Sequence, residues 1–320
     1  MPRTPVIQTQ GLSKRYDGVQ ALQDLDLSVR ENAIFGFLGP NGAGKTTTMK
    51  LLLGLIKPTA GSATVFGKDV AAESVEIRAR VGYLPQDPRF YEHMTAREMV
   101  TFTAKFFFKG PEPAIRRRVD EVLDLVGLAD TADRPIKSLS GGERQRAGIA
   151  QAQVNYPDLL ILDEPAASLD PLGRRDVLQV MARLRKHTTI FYSTHILDDV
   201  QKVSDTVAIL DRGALVAHGP IEALLAGGDG VAYVVRFRGD AAAAQARVAP
   251  QPWVTEIQAR PLEGGTEWFV SVSDPDIAEL RLMRLLLADE GLAVWEFRRR
   301  TYELEDIFTA IVEGGNDEGE

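Results

Sequence analysis

Read by its apolar and polar positions, the chain opens with two short strands, Val6 to Leu12 and Leu25 to Val29. Ala33 to Leu38 is a compact apolar run that stops at Gly39-Pro40. Leu159 to Leu162 is apolar throughout and bounded by charge, the mark of a strand buried on both faces. Thr188 to Ser193 and Thr206 to Leu210 are β-rich in the same way. Lys45 to Ile56 has a helical pattern and is followed by Lys57-Pro58. Strands of this kind separated by helices predict a mostly parallel sheet in an α/β domain.

A helix-rich block, Thr95 to Ser138, interrupts the alternation. Val119, Val122, Leu123 and Val126 recur at helical spacing, and Pro111 and Pro113 break the block in two. Phe102, Phe106, Phe107 and Phe108 are expected mostly in the core, with some free to line a docking groove. Arg116-Arg117-Arg118 is expected to be a solvated helix face.

A linker, Ala226-Gly227-Gly228-Asp229-Gly230, separates a second pattern. Val231 to Phe237 reads as a strand and Ala241 to Val248 as a helix. Trp253 to Ala259 and Trp268 to Val272 read as a hairpin around Gly264-Gly265. Ile277 to Asp289 is an amphipathic helix and Leu292 to Phe297 a strand. This β-α-β-β-α-β order predicts a small ferredoxin-like α+β domain, closed by a helix near Glu303 to Val312. The expected division is 1–226, with a helical subdomain at about 90–140, then 227–313 and a disordered acidic tail, 314–320.

Composition narrows the options. A length of 320 residues favours two domains. No cysteine is present, which excludes disulfides and thiolate metal sites. The net charge of −8 owes four negative charges to the last eight residues and does not favour nucleic-acid binding. The first ten residues carry no signal-peptide pattern, and no stretch reaches the ~18 apolar residues of a membrane helix.

The chemistry begins at Gly39-Pro40-Asn41-Gly42-Ala43-Gly44-Lys45-Thr46, between a buried strand and a helix. Its glycines let backbone N–H groups turn inward around an anion, and the helix start adds its dipole. In this G-x-x-x-x-G-K-[ST] pattern Lys45 reaches the β/γ-phosphates, the Thr46 hydroxyl is placed for Mg²⁺, and Thr47 for the α-phosphate. The buried strand Leu159–Leu162 delivers Asp163 and Glu164 to the carboxyl edge of the sheet, where α/β proteins bind ligands. Asp163 suits Mg²⁺ beside Thr46. Glu164, turned away by strand alternation, suits the attacking water.

Leu139-Ser140-Gly141-Gly142-Glu143-Arg144-Gln145-Arg146 resembles the signature sequence of the ATP-binding cassette (ABC) ATPases. Further motifs are similar to that family's in its own order: Tyr16 as the adenine-stacking aromatic, Gln86 of the Q-loop, Asp170 in Ser168-Leu169-Asp170 as the D-loop, and His195 as the switch histidine. The resemblance covers about residues 5 to 225. It implies a P-loop NTPase ABC ATPase domain that binds ATP and Mg²⁺. Gln86 then links metal and water to the helical subdomain, and His195 contacts the γ-phosphate. Two chains join head to tail, so that Ser140, Gly141 and Gly142 of one close over the ATP of the other. Glu164 and His195 are both present, which implies a hydrolysing site in a homodimer. The D-loop segment reads Ala166-Ala167 where Thr and a small residue are frequent in the family.

The family holds transporter subunits and soluble proteins. The helical block lacks a long heptad insertion, and there is one P-loop, so DNA-repair and two-cassette translation types fit poorly. Tyr302-Glu303-Leu304-Glu305-Asp306-Ile307-Phe308 is similar to the closing motif of ATPases from drug, antibiotic and polysaccharide-type exporters. The reading is thus an exporter ATPase at the cytoplasmic face of a membrane, driving a separate transmembrane permease. A soluble ATPase that clamps a non-membrane partner is the alternative.

Overall fold

A computed structural model describes residues 5–225, 231–288 and 291–299. They fall into two compact units that divide between Ile221 and Glu222. The linker at 226–230, the closing helix and motif after residue 300 and the acidic tail lie outside the described residues.

The first unit is built on a six-stranded sheet. Its strands run in the order Ala214–Pro220, Thr206–Asp211, Ile34–Leu38, Thr189–Thr194, Leu159–Leu162 and Val81–Leu84. All neighbours are parallel except the first pair. Ile34–Leu38, Leu159–Leu162 and Thr189–Thr194 are buried at every position, which explains the unbroken apolar runs of the first two and the Ile190-Phe191-Tyr192 centre of the third. A separate antiparallel sheet is formed by Val19–Val29, Ile7–Tyr16, Ala60–Val65 and Lys68–Asp69. The helix Lys45–Leu52 shares one core with both sheets, with Met49, Leu51 and Leu52 packed among Leu22, Leu25, Phe35, Phe37 and Phe191.

Several elements differ from expectation. The opening strands are longer and form one hairpin, closed by Asp17 (φ 37°) and Gly18 (φ 91°) with Tyr16 opposite Val19. Two successive positive φ values match the right-handed twist of the arms. The helix from Lys45 ends at Leu52 rather than Ile56. Gly54 adopts φ 62°, Leu55 N donates to Lys50 O and Gly54 N to Leu51 O, so a glycine cap overrides the apolar pattern that continues through Leu53 and Ile56.

The helical block consists of Ala96–Phe107, entered by a Thr95/Glu98 capping box, and Glu112–Leu125, with Pro111 at its N-cap. The phenylalanines are not core. Phe102, Phe106 and Phe107 are 45%, 72% and 45% exposed, because Met99, Val100 and Ala104 occupy the buried face of their helix. Phe108, at the helix end, is half-buried. Arg116 and Arg117 are exposed as expected, but Arg118 is buried. Its guanidinium donates to the carbonyls of Gln153 and Val154 at the end of the helix Gly141–Gln153, where a cation complements the dipole.

The second unit contains the strands Val231–Arg238, Val254–Leu262, Gly265–Val272 and Ala293–Arg299 and the helices Ala242–Val248 and Pro275–Leu286. In sheet order, Val254–Leu262 lies beside Gly265–Val272, then Val231–Arg238, then Ala293–Arg299, all antiparallel. The hairpin pairs Leu262 with Gly265, so its turn is Glu263-Gly264, one residue earlier than expected, with Gly264 supplying φ 85°. Tyr233, Val235, Phe237, Trp268 and Val270 form its core with Leu282 and Leu286.

The helix Gly141–Gln153 packs closely on the strand Val81–Leu84. A Cβ on Gly82 would lie 2.0 Å from Ala152 O. Gly82→Ala is therefore expected to lower stability by ~1–3 kcal/mol through forced backbone displacement, measured by urea unfolding; an unchanged midpoint would contradict this packing.

Candidate nucleotide site

Four adjacent parallel strands end at one edge of the sheet and carry almost all the chemistry. Ile34–Leu38 runs into the Gly39–Thr46 loop, Thr189–Thr194 into His195, Leu159–Leu162 into Asp163-Glu164, and Val81–Leu84 towards Gln86. Neighbouring strands lie ~4.8 Å apart, so side chains far apart in sequence arrive within hydrogen-bond reach.

The loop shows why glycines are needed. Gly42 and Gly44 have φ 84° and 106°, and a Cβ on Gly39 or Gly44 would meet a backbone carbonyl, Leu210 O or Ala21 O, at 2.5 Å. Gly44 is the N-cap of the helix Lys45–Leu52 and offers no capping side chain. The first N–H groups of this helix are thus left for an external anion. Asn41, Gly42, Ala43, Gly44, Lys45, Thr46, Thr47, Gln86 and Glu164, with Ala21, line a cavity of ≈ 300 Å³ here.

Lys45 Nζ donates to Gly39 O (2.7 Å) and Pro40 O (3.0 Å) and lies 3.3 Å from Glu164 Oε1, both side chains being 5% exposed. Glu164 Oε2 is 2.9 Å from His195 Nδ1. One carboxylate therefore bridges the loop lysine and the histidine. Asp163 is turned the other way: Oδ2 accepts from Thr46 Oγ1 at 2.8 Å and Oδ1 from Ser193 Oγ at 2.5 Å. Strand alternation is not what separates the two acids. The strand ends at Leu162, and Glu164 takes φ 49°, a left-handed conformation rare outside glycine that redirects its side chain. Burial, and then the Asp163 carboxylate, pushes the nearby Tyr83 phenol up to about 12.

Ser193 was not among the expected site residues, yet it organises both acids. Its hydroxyl donates to Asp163 and accepts from the backbone N–H of Glu164 at 2.8 Å. Its place before Thr194-His195 at the end of a fully buried strand was the available signal.

The remaining expected residues lie apart from the cavity. Tyr16 is exposed at the hairpin tip, with Lys14 Nζ 4.9 Å from its ring centre, and does not line the cavity. Asp170 caps the helix Pro171–Leu184 by accepting from Gly173 N. Ser140 caps the helix Gly141–Gln153 in a reciprocal box with Glu143. The Ser140 N–H holds the Glu143 carboxyl below its usual range. Neither Ser140, Gly141 nor Gly142 lines the cavity of its own chain.

Fold and site together define a P-loop nucleoside triphosphatase. Residues 22–167 match the family described as ABC transporter. The uncharacterised ABC transporter ATP-binding protein YxlF of Bacillus subtilis is 34% identical over 311 residues, 96% of this chain and 99% of that one. The Nod factor export ATP-binding protein I of Ralstonia nicotianae is 32% identical over 311 residues, 96% and 94% of the two chains. Among solved structures, cbiO1 of Clostridium perfringens, part of the ABC transporter complex cbiONQ, superimposes with a TM-score of 0.66 at 29% identity, covering 71% of this chain and 92% of that one. The chain belongs to the ATP-binding proteins of ABC transporters. It is an ABC-type ATPase subunit, and exporter-type proteins are among its relatives.

Ser193→Ala would leave the buried Glu164 N–H without its acceptor and Asp163 without one donor. It is expected to cost ~1–3 kcal/mol of stability, read as a lowered melting temperature; an unshifted melt would remove Ser193 from this organising position.

Proposed function

We propose that the chain is the ATP-hydrolysing subunit of an exporter, with Glu164 as the residue that activates the attacking water. The observation that carries this reading is the Glu164 carboxylate held between Lys45 and His195 at the mouth of an uncapped helix start. The β- and γ-phosphates of ATP fit the cavity lined by the loop and helix start from Asn41 to Thr47, with Lys45 exchanging its loop carbonyls for phosphate oxygens. Glu164 accepts a proton as the water oxygen bonds to the γ-phosphorus and the bond to the ADP oxygen breaks. His195 contacts the γ-phosphate and holds Glu164 in place.

Thr46 and Asp163 already share a hydrogen bond at the cavity edge, and Gln86 lines it. Among the described residues no cluster of three or more His, Cys, Asp or Glu could hold a metal. A hydroxyl and one carboxylate beside a phosphate pocket suit Mg²⁺, which binds through few protein ligands, phosphates and water. There it would supply charge neutralisation at the γ-phosphate.

Ser140, Gly141 and Gly142 are read as the cover for a second copy's ATP, because they form a helix start outside their own cavity. Tyr16 is read as the adenine platform and Asp170 as a contact across the dimer.

Among the described residues no helix is long and apolar enough to cross a membrane, so the span is assigned to a separate permease. Tyr91, Phe102 and Phe106 form an exposed edge-to-face ring cluster on the helical block, suited to receive a helix of that permease at the cytoplasmic face. The Nod factor export relative aligns across both units, which supports export. The second unit, taken as 227–313, is read as a ferredoxin-like accessory domain on its β-α-β-β-α-β order and antiparallel sheet.

Glu164→Gln is expected to retain ATP binding, lower kcat by ~10²–10⁴-fold and accumulate an ATP-bound dimer on size exclusion; near wild-type turnover would remove Glu164 from this role. Lys45→Ala is expected to weaken ATP binding by ~10–100-fold, followed by titration with a fluorescent nucleotide. Unchanged affinity would sink the phosphate cradle.

A further inference from the structure

His195 follows the strand Thr189–Thr194 directly, and the helix Leu197–Val203 begins two residues later. The seat of that helix sets where the histidine stands. Its far end is pinned from below. The Tyr192 and Ser204 hydroxyls meet at 2.8 Å in the interior, and a Cβ on Gly36 would lie 3.1 Å from Val200 Cγ1.

Nearer His195 the helix is held by charge. Asp199 is 1% exposed, and its Oδ1 accepts from Arg174 Nε at 2.5 Å. Its Oδ2 is buried with no hydrogen-bond partner. Arg174 Nη2 also approaches Asp198 Oδ2, at 3.4 Å. Lys202 shares that second carboxylate at 2.7 Å.

Arg174 lies in the first turn of the helix Pro171–Leu184, capped by Asp170. The opposite side of this helix is pressed against the signature helix Gly141–Gln153. A Cβ on Gly142 would lie 3.0 Å from the Cα of Gly173, and Arg146 bonds Asp176 at 3.2 Å. One helix thus touches the signature start on one side and the switch-histidine helix on the other.

A buried ion pair contributes little net stability, because desolvation offsets the attraction. A half-satisfied carboxylate makes the balance worse. What such a pair supplies is direction, since the planar Arg174 guanidinium reaches two adjacent carboxylates of one helix, Asp199 through Nε and Asp198 through Nη2, and can meet both in few orientations.

We propose that Arg174 and Asp199 are positioning residues that carry the placement of the signature and D-loop helix starts to His195. The approach of His195 to the γ-phosphate then depends on whether this chain's own signature has closed over the nucleotide of a second copy. This inference rests on the roles proposed above for Glu164, His195 and Ser140.

The test is the double variant Arg174→Met/Asp199→Leu in the full-length chain. It removes both charges together and keeps the space filled. The expected result is a melting temperature close to wild type, an unchanged KM for ATP and a kcat lowered by ~10–100-fold. On the Glu164→Gln background the same pair of changes is expected to leave ATP-dependent dimer formation intact. Wild-type kcat in the double variant would show a packing role only and overturn the proposal. If that variant does not fold, Arg174→Lys decides, since it keeps the charge but not the fork: a lowered kcat at unchanged KM supports the link, and an unaltered kcat overturns it. Failure of the underlying reading looks different, because Glu164→Gln alone would then still hydrolyse ATP.

Discussion

Lys45 and Glu164 meet at 3.3 Å in a place almost closed to water, and their contact depends on three strands lying side by side. Lys45 follows the strand Ile34–Leu38 and Glu164 follows Leu159–Leu162. The strand between them ends in Ser193 and Thr194 and runs into His195. A lysine and a carboxylate buried together are tolerated only when each has further partners. Here the lysine has two loop carbonyls, the glutamate has His195, and the glutamate's backbone N–H has Ser193. The buried parallel sheet holds these partners in register, and the nucleotide reading follows from that register.

The helix starts after Gly44 and after Ser140 differ in a way that suits different tasks. The one after Gly44 has no side-chain cap and opens into a cavity of its own chain. The one after Ser140 is closed by a capping box, so its serine oxygen already accepts from Glu143 N. A hydroxyl that accepts can still donate, which leaves Ser140 able to meet a phosphate oxygen brought by another molecule. The first start leaves its N–H groups without a side-chain cap, and the second suits the covering role proposed for it.

The interior of the helical block is tied to this machinery through Arg118. Its guanidinium binds the last carbonyls of the signature helix and stacks 3.4 Å over the Tyr156 ring. The helix Glu112–Leu125 is thereby bonded to the last turn of the helix that carries Ser140 at its other end. The exposed rings of Tyr91, Phe102 and Phe106 lie on the same block, so its outer face is free while its inner face is committed.

Much of this was written in local pattern. Unbroken apolar runs marked Ile34–Leu38 and Leu159–Leu162, and a β-rich run marked Thr189–Thr194, because a strand covered on both faces has no alternating polar side to show. The glycine loop and the two acids were legible from residue type and spacing, Gln86, Ser140 and His195 only through the resemblance to a family, and the second unit from its strand and helix order. Other features arise only in three dimensions. Phe102 and Phe106 are exposed because smaller residues of their own helix took the core. Arg118 is buried because two carbonyls 35 and 36 residues away needed donors. Ser193 joins both acids because its strand lies beside the one that delivers them, and the acids diverge because Glu164 adopts a left-handed backbone. Periodicity and spacing record what each segment does with its own neighbours. Which distant groups share a buried edge is decided when the strands choose their order, and hydrogen-bond geometry then selects the partners.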